Sequence, residues 1–198
     1  MIIDFKFKNY LSFADECNFT MLANKDKAHE ENLITVGKER LSKTRMIYGA
    51  NASGKSSFMK AMLFISMFIA NSNSLLEKMP IPVDPFKFCD GCFNKPTEFS
   101  ITFIKDEIKY AYQFSCTREK VINERLDIYY SAKPTMIFNR TNTTTYEFNK
   151  DTKLLNELKD RNLENKLFLV TSASWNYEKT KPVVDYLLNT IMVAISID

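Results

Sequence analysis

The chain has 198 residues and a formal net charge of +3 at pH 7. Hydrophobic residues make up 45% of it and aromatic residues 13%, which excludes an intrinsically disordered protein and predicts one globular domain with an ample core. The charge is too small, and the basic residues are too scattered, to indicate nucleic-acid binding by themselves.

The first elements along the chain are predicted to be short strands. Ile2 to Lys8 and Cys17 to Leu22 alternate apolar and polar residues, which predicts an antiparallel hairpin. Leu33 to Val36 is predicted as a further strand that Gly37 ends, followed by a polar loop. The sequence shows neither a signal-peptide core nor an apolar stretch of membrane-spanning length. We therefore expect a cytoplasmic protein with reduced cysteines and no membrane partner.

A phosphate-binding loop is the most specific motif of the sequence. A strand predicted over Arg45 to Tyr48 leads into Gly-x-x-x-x-Gly-Lys-Ser. A helix predicted from Lys55 to about Ala70 follows, and it is apolar nearly all round, so we expect it to be buried on most sides. This strand–loop–helix context is the P-loop that binds polyphosphates. The residues expected to contact the nucleotide are Gly49, Ala50, Asn51, Ala52, Ser53, Gly54, Lys55, Ser56 and Ser57.

Each residue type in this loop has a physical role. Gly49 and Gly54 let the backbone wrap closely around a polyphosphate, with N–H groups pointing inward and the positive end of the helix dipole behind them. Lys55, the predicted catalytic residue, is expected to reach the β- and γ-phosphates, and the Ser56 hydroxyl to coordinate Mg²⁺. Ser57 is either a further phosphate contact or a polar residue of the first helical turn.

The remainder of the chain is predicted to form a meander and helices. Beyond a proline-rich connector, residues 99–148 alternate as about five antiparallel strands. Their aromatic residues keep strict alternation, which favours one buried face of a sheet over the alternative, a base-stacking platform. Asp151 to Asp160 is predicted as a helix, whereas Leu163 to Trp175 fits a strand or a helix. A last helix begins after Thr180, and its apolar face is Val184, Leu187, Leu188, Ile191, Met192 and Ile195.

Two cysteines, Cys89 and Cys92, have the spacing of metal ligands or of a redox pair. Cys17, Cys116 and His29 are isolated in sequence, so a structural zinc site would lack ligands. The segment is therefore interpreted as a turn that carries two thiols. His29 lies in a charged stretch and is interpreted as part of a solvated loop rather than as a catalytic base.

The opening strands and the P-loop resemble those of RecF/SMC-like ATPases, whose heads are of the ABC type. Phe7 to Phe13 is similar to their Asn-Phe-x-Ser-Phe opening, and Ile47 to Ser56 to their hydrophobic-Gly-x-Asn-x-x-Gly-Lys-Ser loop. Pro85-Phe86, Pro96 to Phe99 and the meander resemble one branch. That branch is the bacterial AAA-type ATP-binding proteins related to abortive-infection and phage-resistance ATPases.

This resemblance implies a P-loop NTPase of mixed α/β (α+β) class over residues 1–198. The chain would be the N-terminal lobe of an ABC- or SMC-type head, with an antiparallel meander and flanking helices. Residues 1–75 would hold strands, P-loop and first helix, residues 76–150 the connector and meander, and residues 151–198 the helical end. We expect a piece of a longer head, either a fragment or a naturally split or truncated product.

The resemblance also implies ATP and Mg²⁺ as cofactors and ATP bound between two heads, in a homodimer or with a partner head. DNA or an effector protein would be a further partner, and Asn51 would lie close to the γ-phosphate. Leu11 stands where family members often carry an arginine, so the resemblance does not extend to a phosphate contact from that position. The family's Ser-Gly signature, Walker B segment and switch histidine belong to a C-terminal half. Asp198 and Gln113 are only weak candidates for Walker B and Q-loop roles.

Three functions remain open on the sequence. The leading hypothesis is an ATP- and Mg²⁺-binding lobe of an ATPase in phage defence or a DNA-related process. It would hydrolyse ATP as part of a complete head and bind ATP with little turnover alone. The second is a non-catalytic module that assembles on nucleotide. The third is a small P-loop kinase, for which the meander supplies neither acceptor-site carboxylates nor an arginine-rich lid.

Overall fold

A computed structural model describes residues 1–25, 29–89 and 91–190. The strands are β1 (Ile2–Lys8), β2 (Cys17–Thr20), β3 (Leu33–Val36), β4 (Glu39–Ser42), β5 (Thr97–Lys105), β6 (Ile108–Cys116), β7 (Val121–Tyr129), β8 (Thr135–Thr141) and β9 (Thr145–Phe148). The α-helices are α1 (Lys55–Asn71), α2 (Thr152–Lys159), α3 (Phe168–Ser174) and α4 (Lys181–Thr190). Short 3₁₀ turns occupy Glu30–Asn32, Ser72–Ser74 and Cys92–Asn94. Ile191, Met192, Ile195 and Asp198 lie outside the described residues.

One seven-stranded antiparallel sheet, in the order β2-β1-β5-β6-β7-β8-β9, organises the molecule. β1 lies between β2 and β5, so that Phe5 has Phe19 as its partner on one side and Ile101 on the other. The predicted opening hairpin and the predicted five-stranded meander are both confirmed. They are two parts of a single sheet, which the sequence pattern did not indicate.

The aromatic residues of this sheet face a shared core with α1. Phe68 of α1 packs edge-on against Phe114, with ring centroids 5.7 Å apart, and Phe58 packs against Phe5 at 5.7 Å. Burial of each such side chain contributes about 1.5–3 kcal/mol. The interpretation of the alternating aromatics as a buried face is therefore confirmed. The buried members from the strands are Phe5, Phe7, Phe99, Ile101, Phe103, Tyr110, Tyr112, Phe114, Leu126, Ile128 and Phe138.

The opposite face of the sheet is polar. Successive cross-strand pairs form one continuous row of polar side chains from β2 to β9: Asn18, Lys6, Ser100, Gln113, Arg125, Asn139 and Glu147. Gln113 belongs to this row because its neighbours Tyr112 and Phe114 point into the core. Its place is therefore on the side of the sheet away from α1.

Two predictions for the segment before the P-loop were wrong. Residues 39–42, expected in a polar loop, form β4 and pair with β3. Gly37, at φ +62°, supplies the left-handed turn between them. Arg45 to Tyr48, expected as a strand, has no strand conformation. A strand needs a neighbour for its N–H and C=O groups, and none of the described strands pairs with this segment.

The ambiguous segment Leu163 to Trp175 contains a helix, and a buried carboxylate fixes where that helix begins. Glu124 accepts hydrogen bonds from the backbone N–H of Phe168 at 2.7 Å and of Leu169 at 2.8 Å, the first residues of α3. It also accepts one from the Tyr112 hydroxyl at 2.9 Å. Burial raises the pKa of Glu124, although Arg140 and these donors oppose that rise. The carboxylate thus ties α3 to the sheet.

Arg140 completes this buried cluster. Its guanidinium lies 3.7 Å from the Glu124 carboxylate and is almost fully buried. It donates to the carbonyl oxygens of Thr143, Lys166 and Glu164. Every side of the cation is therefore paired, as a buried charge requires.

None of the helices in the described part of the chain has the length and apolar character that a membrane span needs.

Candidate nucleotide-binding site

The segment Gly49 to Gly54 forms a tight loop that ends where α1 begins. Gly54 caps the helix at φ +96°, a conformation that L side chains rarely adopt. A Cβ on Gly49 would stand 2.8 Å from the Ser53 Oγ, so a side chain there would collide within the loop. Gly54 is thus required by its backbone conformation, and Gly49 is favoured by the close approach of the Ser53 side chain.

Lys55 turns back into this loop. Its ammonium donates hydrogen bonds to the carbonyl oxygens of Gly49 and Ala50, both at 2.7 Å. The cation therefore lies in the curve of the loop, beside the N-terminus of α1. An anionic ligand in that curve would replace these carbonyl groups as the acceptor, because a charged acceptor forms the stronger hydrogen bond.

The first turn of α1 supplies the remaining groups of the site. The Phe58 N–H is the first to close a helical bond, to the Gly54 carbonyl at 3.0 Å, so the N–H groups of residues 55–57 are open for a ligand. Ser56 is exposed, and its hydroxyl has no hydrogen bond within the part of the chain that the structure describes. Ser57 is half-buried, and Asn51 is exposed on the loop. This donor set fits a nucleotide polyphosphate with Mg²⁺.

The turn from Tyr10 to Phe13 supports the P-loop. In the sequence it was noted only as part of the opening motif. Tyr10 and Phe13 exchange backbone hydrogen bonds at 2.9 Å in both directions. A Cβ on Gly54 would stand 3.0 Å from the Phe13 ring and 3.2 Å from the Ser12 Oγ. Phe13 in turn packs edge-on against Phe7, at 5.0 Å between centroids. The P-loop therefore rests on the end of β1, and the aromatic spacing was the only sequence signal of it.

Tyr10 holds this turn between α1 and the connector. Its hydroxyl donates to the Lys60 carbonyl at 3.4 Å and its ring packs against Phe64 at 5.7 Å. Burial, together with the negative charge of Asp84, raises the pKa of Tyr10 to about 12. The Leu11 N–H donates to the Asp84 carbonyl at 2.9 Å. The turn is thus anchored on both sides.

Other residues considered on the sequence do not join the loop. His29 is exposed and lies 3.1 Å from Glu31, in keeping with a solvated loop. Gln113 lies on the polar side of the sheet, away from α1. Cys17 is half-buried and Cys116 is buried. Within residues 1–25, 29–89 and 91–190, no group of three or more histidine, cysteine or acidic side chains could hold a metal ion.

The cysteine pair differs from the expectation of four reduced thiols. Cys89 and Cys92 are joined as a disulfide, with Cα atoms 5.5 Å apart, inside the range that a disulfide can span. Gly91, at φ +75°, supplies the turn between them. The chain reversal predicted from the Cys-x-x-Cys segment is present, and it brings the two sulfur atoms together.

The approach to the P-loop is unusually apolar for an exposed segment. Met46 is 83% exposed and Tyr48 89%. After the loop, α1 also differs from the prediction of burial on most sides, because Met59 and Met67 are exposed. Exposed apolar side chains therefore occur both before the P-loop and on the helix that follows it.

A comparison with known protein families places most of the chain in one of them. A family model described as "AAA domain, putative AbiEii toxin, Type IV TA system" matches residues 46–186. The matched range begins just before the P-loop and includes α1, the meander, α2 and α3. No curated protein matches the chain.

Proposed function

Since the chain belongs to this AAA domain family of abortive-infection type, we propose that it is the ATP- and Mg²⁺-binding lobe of a RecF/SMC-like ATPase. It acts in phage defence or a DNA-related process, and hydrolysis needs a second half that carries the signature and Walker B segments. ATP is held between this lobe and a partner head, in a homodimer or a heteromeric pair. DNA or an effector protein is the further partner, and it is engaged when the two heads hold ATP between them.

The position of the Lys55 ammonium is the observation that carries this proposal. It lies in the curve of a loop whose two glycines cannot be replaced without collision or strain, at the start of a 17-residue helix. Lys55 would bind the β- and γ-phosphates, Ser56 would bind Mg²⁺, and the N–H groups of residues 50–57 would surround the phosphates. Bound Mg²⁺ supplies neutralisation of phosphate charge.

The exposed segment before the loop supports the need for a second half. Met46, Ile47 and Tyr48 are apolar and precede a P-loop, yet no described strand pairs with them. In a P-loop domain such a segment forms a strand once a neighbouring strand is beside it. A second half would supply that neighbour and would cover Met59 and Met67 of α1.

Equilibrium binding of fluorescent ATP to the chain, with and without Mg²⁺, tests the proposal. We expect Lys55→Ala to weaken binding about 10- to 150-fold, because a hydrogen bond to a charged group contributes about 1.5–3 kcal/mol. Lys60→Ala, on the exposed side of the same helix, is the matched control and should bind like the wild type. Equal binding by all three proteins would contradict the site.

The rate of ATP hydrolysis by the purified chain distinguishes a lobe that only binds ATP from a complete ATPase head. We expect the purified chain to bind ATP but to release phosphate barely above the background, because the proposal assigns the opposing signature and the water-positioning carboxylate to the second half. Turnover at the rate of a complete head would contradict the proposal. ATP-dependent dimerisation that Lys55→Ala leaves unchanged would instead favour a module whose assembly does not use the loop.

A further inference from the structure

The disulfide loop lies at the end of a chain of contacts that leads to the P-loop. The Cys92 carbonyl accepts a hydrogen bond at 2.9 Å from the side-chain amide of Asn9. The same amide nitrogen donates to Lys95 at 2.9 Å and approaches the Pro96 carbonyl at 3.3 Å. One buried side chain therefore gathers three carbonyl groups of the segment that follows the disulfide.

Asn9 is well placed to transmit a change in that segment. It is 5% exposed, has φ +54°, and is the residue immediately before the turn that supports Gly54. Its own carbonyl accepts a hydrogen bond from the Thr97 hydroxyl at 2.8 Å. The segment 92–97 therefore helps to position the turn from Tyr10 to Phe13, together with the contacts of Tyr10 with α1 and of Leu11 with Asp84. The path runs from Cys92 to Asn9 by a hydrogen bond and along the chain to Tyr10. The backbone hydrogen bonds of Tyr10 lead to Phe13, whose ring lies beside Gly54.

A zinc site does not account for this pair of cysteines. No third or fourth metal ligand accompanies them in the described part of the chain, and a structural zinc needs four. A disulfide that closes a loop of four residues removes less entropy from the unfolded chain than one that closes a longer loop. It therefore contributes little to the overall stability of the fold. In the cytoplasm, where the sequence leads us to expect this chain, disulfides are usually redox-sensing or catalytic.

The surroundings of the pair favour access by another thiol or disulfide. Both cysteines are half-buried rather than enclosed, and the aromatic residues on either side of them, Phe88 and Phe93, are 88% and 47% exposed. Lys87 and Lys95 flank the segment in sequence, and positive charge favours the reactive thiolate. By contrast, burial raises the pKa of both the Cys17 and the Cys116 thiols, so neither is a good nucleophile.

We propose that Cys89 and Cys92 form a redox-active dithiol–disulfide site whose oxidation state sets the position of Asn9 and hence the readiness of the P-loop. The thiolate of one cysteine attacks a sulfur of an external disulfide and forms a mixed disulfide with it, and the other half of the external disulfide leaves as a thiolate. The thiolate of the second cysteine then attacks the first cysteine's sulfur in the mixed disulfide, which closes the Cys89–Cys92 bond and releases the remaining half as a second thiolate. The protein loses two electrons and two protons, and the external disulfide becomes two thiols. The nucleotide readout rests on the proposed function.

The first measurement is redox titration of the intact chain in mixtures of reduced and oxidised glutathione, followed by acid quenching, alkylation and mass mapping. We expect reversible interconversion at Cys89 and Cys92, with Cys17 and Cys116 remaining thiols. A Cys89/Cys92 pair that stays in one state throughout the titration would overturn the proposal. Cys17→Ser is the matched control and should titrate like the wild type.

Hydrogen exchange tests the mechanical link without using nucleotide. We expect reduction, or the double variant Cys89→Ser/Cys92→Ser, to speed exchange at residues 9–13 and 92–97 while leaving β7 and β8 unchanged. Unchanged exchange at residues 9–13 would overturn the link to the turn. This readout supports or overturns the redox site even if the chain binds no ATP.

ATP affinity then joins the two proposals. We expect the reduced chain and the double serine variant to bind fluorescent ATP about fivefold or more weakly than the oxidised chain, the lower end of typical coupling between sites. Equal affinity in both states would overturn the effect on the P-loop. Failure of ATP binding in both states, with the exchange difference intact, would contradict the proposed function and leave the redox site standing.

Discussion

The cluster around Glu124 and the segment around the P-loop satisfy their polar groups in opposite ways. Glu124 and Arg140 are both buried, and each is paired with groups that this chain supplies. Among the residues that the structure describes, Lys55 has hydrogen bonds only to carbonyl groups of its own loop, and Met46 and Tyr48 face solvent. The groups of the first region are thus paired within the chain, whereas the second region leaves apolar side chains exposed, as the proposed function expects of a surface that a partner covers.

The largest change in stability is expected at the buried cluster of Glu124 and Arg140. Arg140→Ala leaves the Glu124 carboxylate buried without its cation, which should lower the free energy of unfolding by about 3–5 kcal/mol. Urea unfolding followed by circular dichroism measures it. Arg125→Ala, which removes a partly exposed arginine paired with Asp127 on the polar side of the sheet, should cost only about 0–1 kcal/mol. Similar losses in both variants would show that the buried cluster has no special weight.

A smaller effect on stability but a large one on binding is expected at Gly54. Gly54→Ala places a Cβ at φ +96° against the Phe13 ring, which should cost about 1–3 kcal/mol of stability and displace the loop that binds nucleotide.

Gly37→Ala provides the matched control for that substitution. Gly37 also has a positive φ, but a Cβ there meets nothing within 4 Å. The variant should lose about 1–2 kcal/mol and keep full affinity for fluorescent ATP. Normal ATP binding by Gly54→Ala would show that the turn below the loop does not fix its geometry.

The smallest change in stability is expected in the exposed segment before the P-loop. Tyr48→Ser removes an apolar side chain that is already in water, so the free energy of unfolding should change by no more than about 0.5 kcal/mol. Sedimentation velocity should show equal or weaker self-association. A loss of stability as large as that of a buried tyrosine would mean that this segment packs within the chain.

Much of the fold follows from local patterns in the sequence. The period of two placed the meander and its buried aromatic face, and the glycine spacing placed the P-loop and the start of α1. These features depend on neighbours close in sequence, where alternation and capping have a direct physical meaning. The family match over residues 46–186 agrees with that interpretation of the loop.

The rest depends on contacts between distant residues. Alternation does not say that β1 pairs with β5, and the polar composition of Glu39–Ser42 hid a strand whose Leu41 fills a small separate cluster. The helix at Phe168 has its first N–H groups bound by Glu124 of β7, a partner from another part of the chain. The strand expected at Arg45 to Tyr48 failed for the converse reason, because its partner is not among the described strands.

The position of β1 inside the sheet has a consequence for synthesis of the protein. Ile2–Lys8 is synthesised about 90 residues before Thr97–Lys105, which is one of its two neighbours in the sheet. At about 5–20 residues per second, the apolar side chains of Phe5 and Phe7 wait about 5–20 s for that neighbour. During this interval the opening hairpin has one free edge and an uncovered apolar side. The order of translation, rather than the final stability, therefore sets when this protein is most exposed to aggregation or chaperone capture.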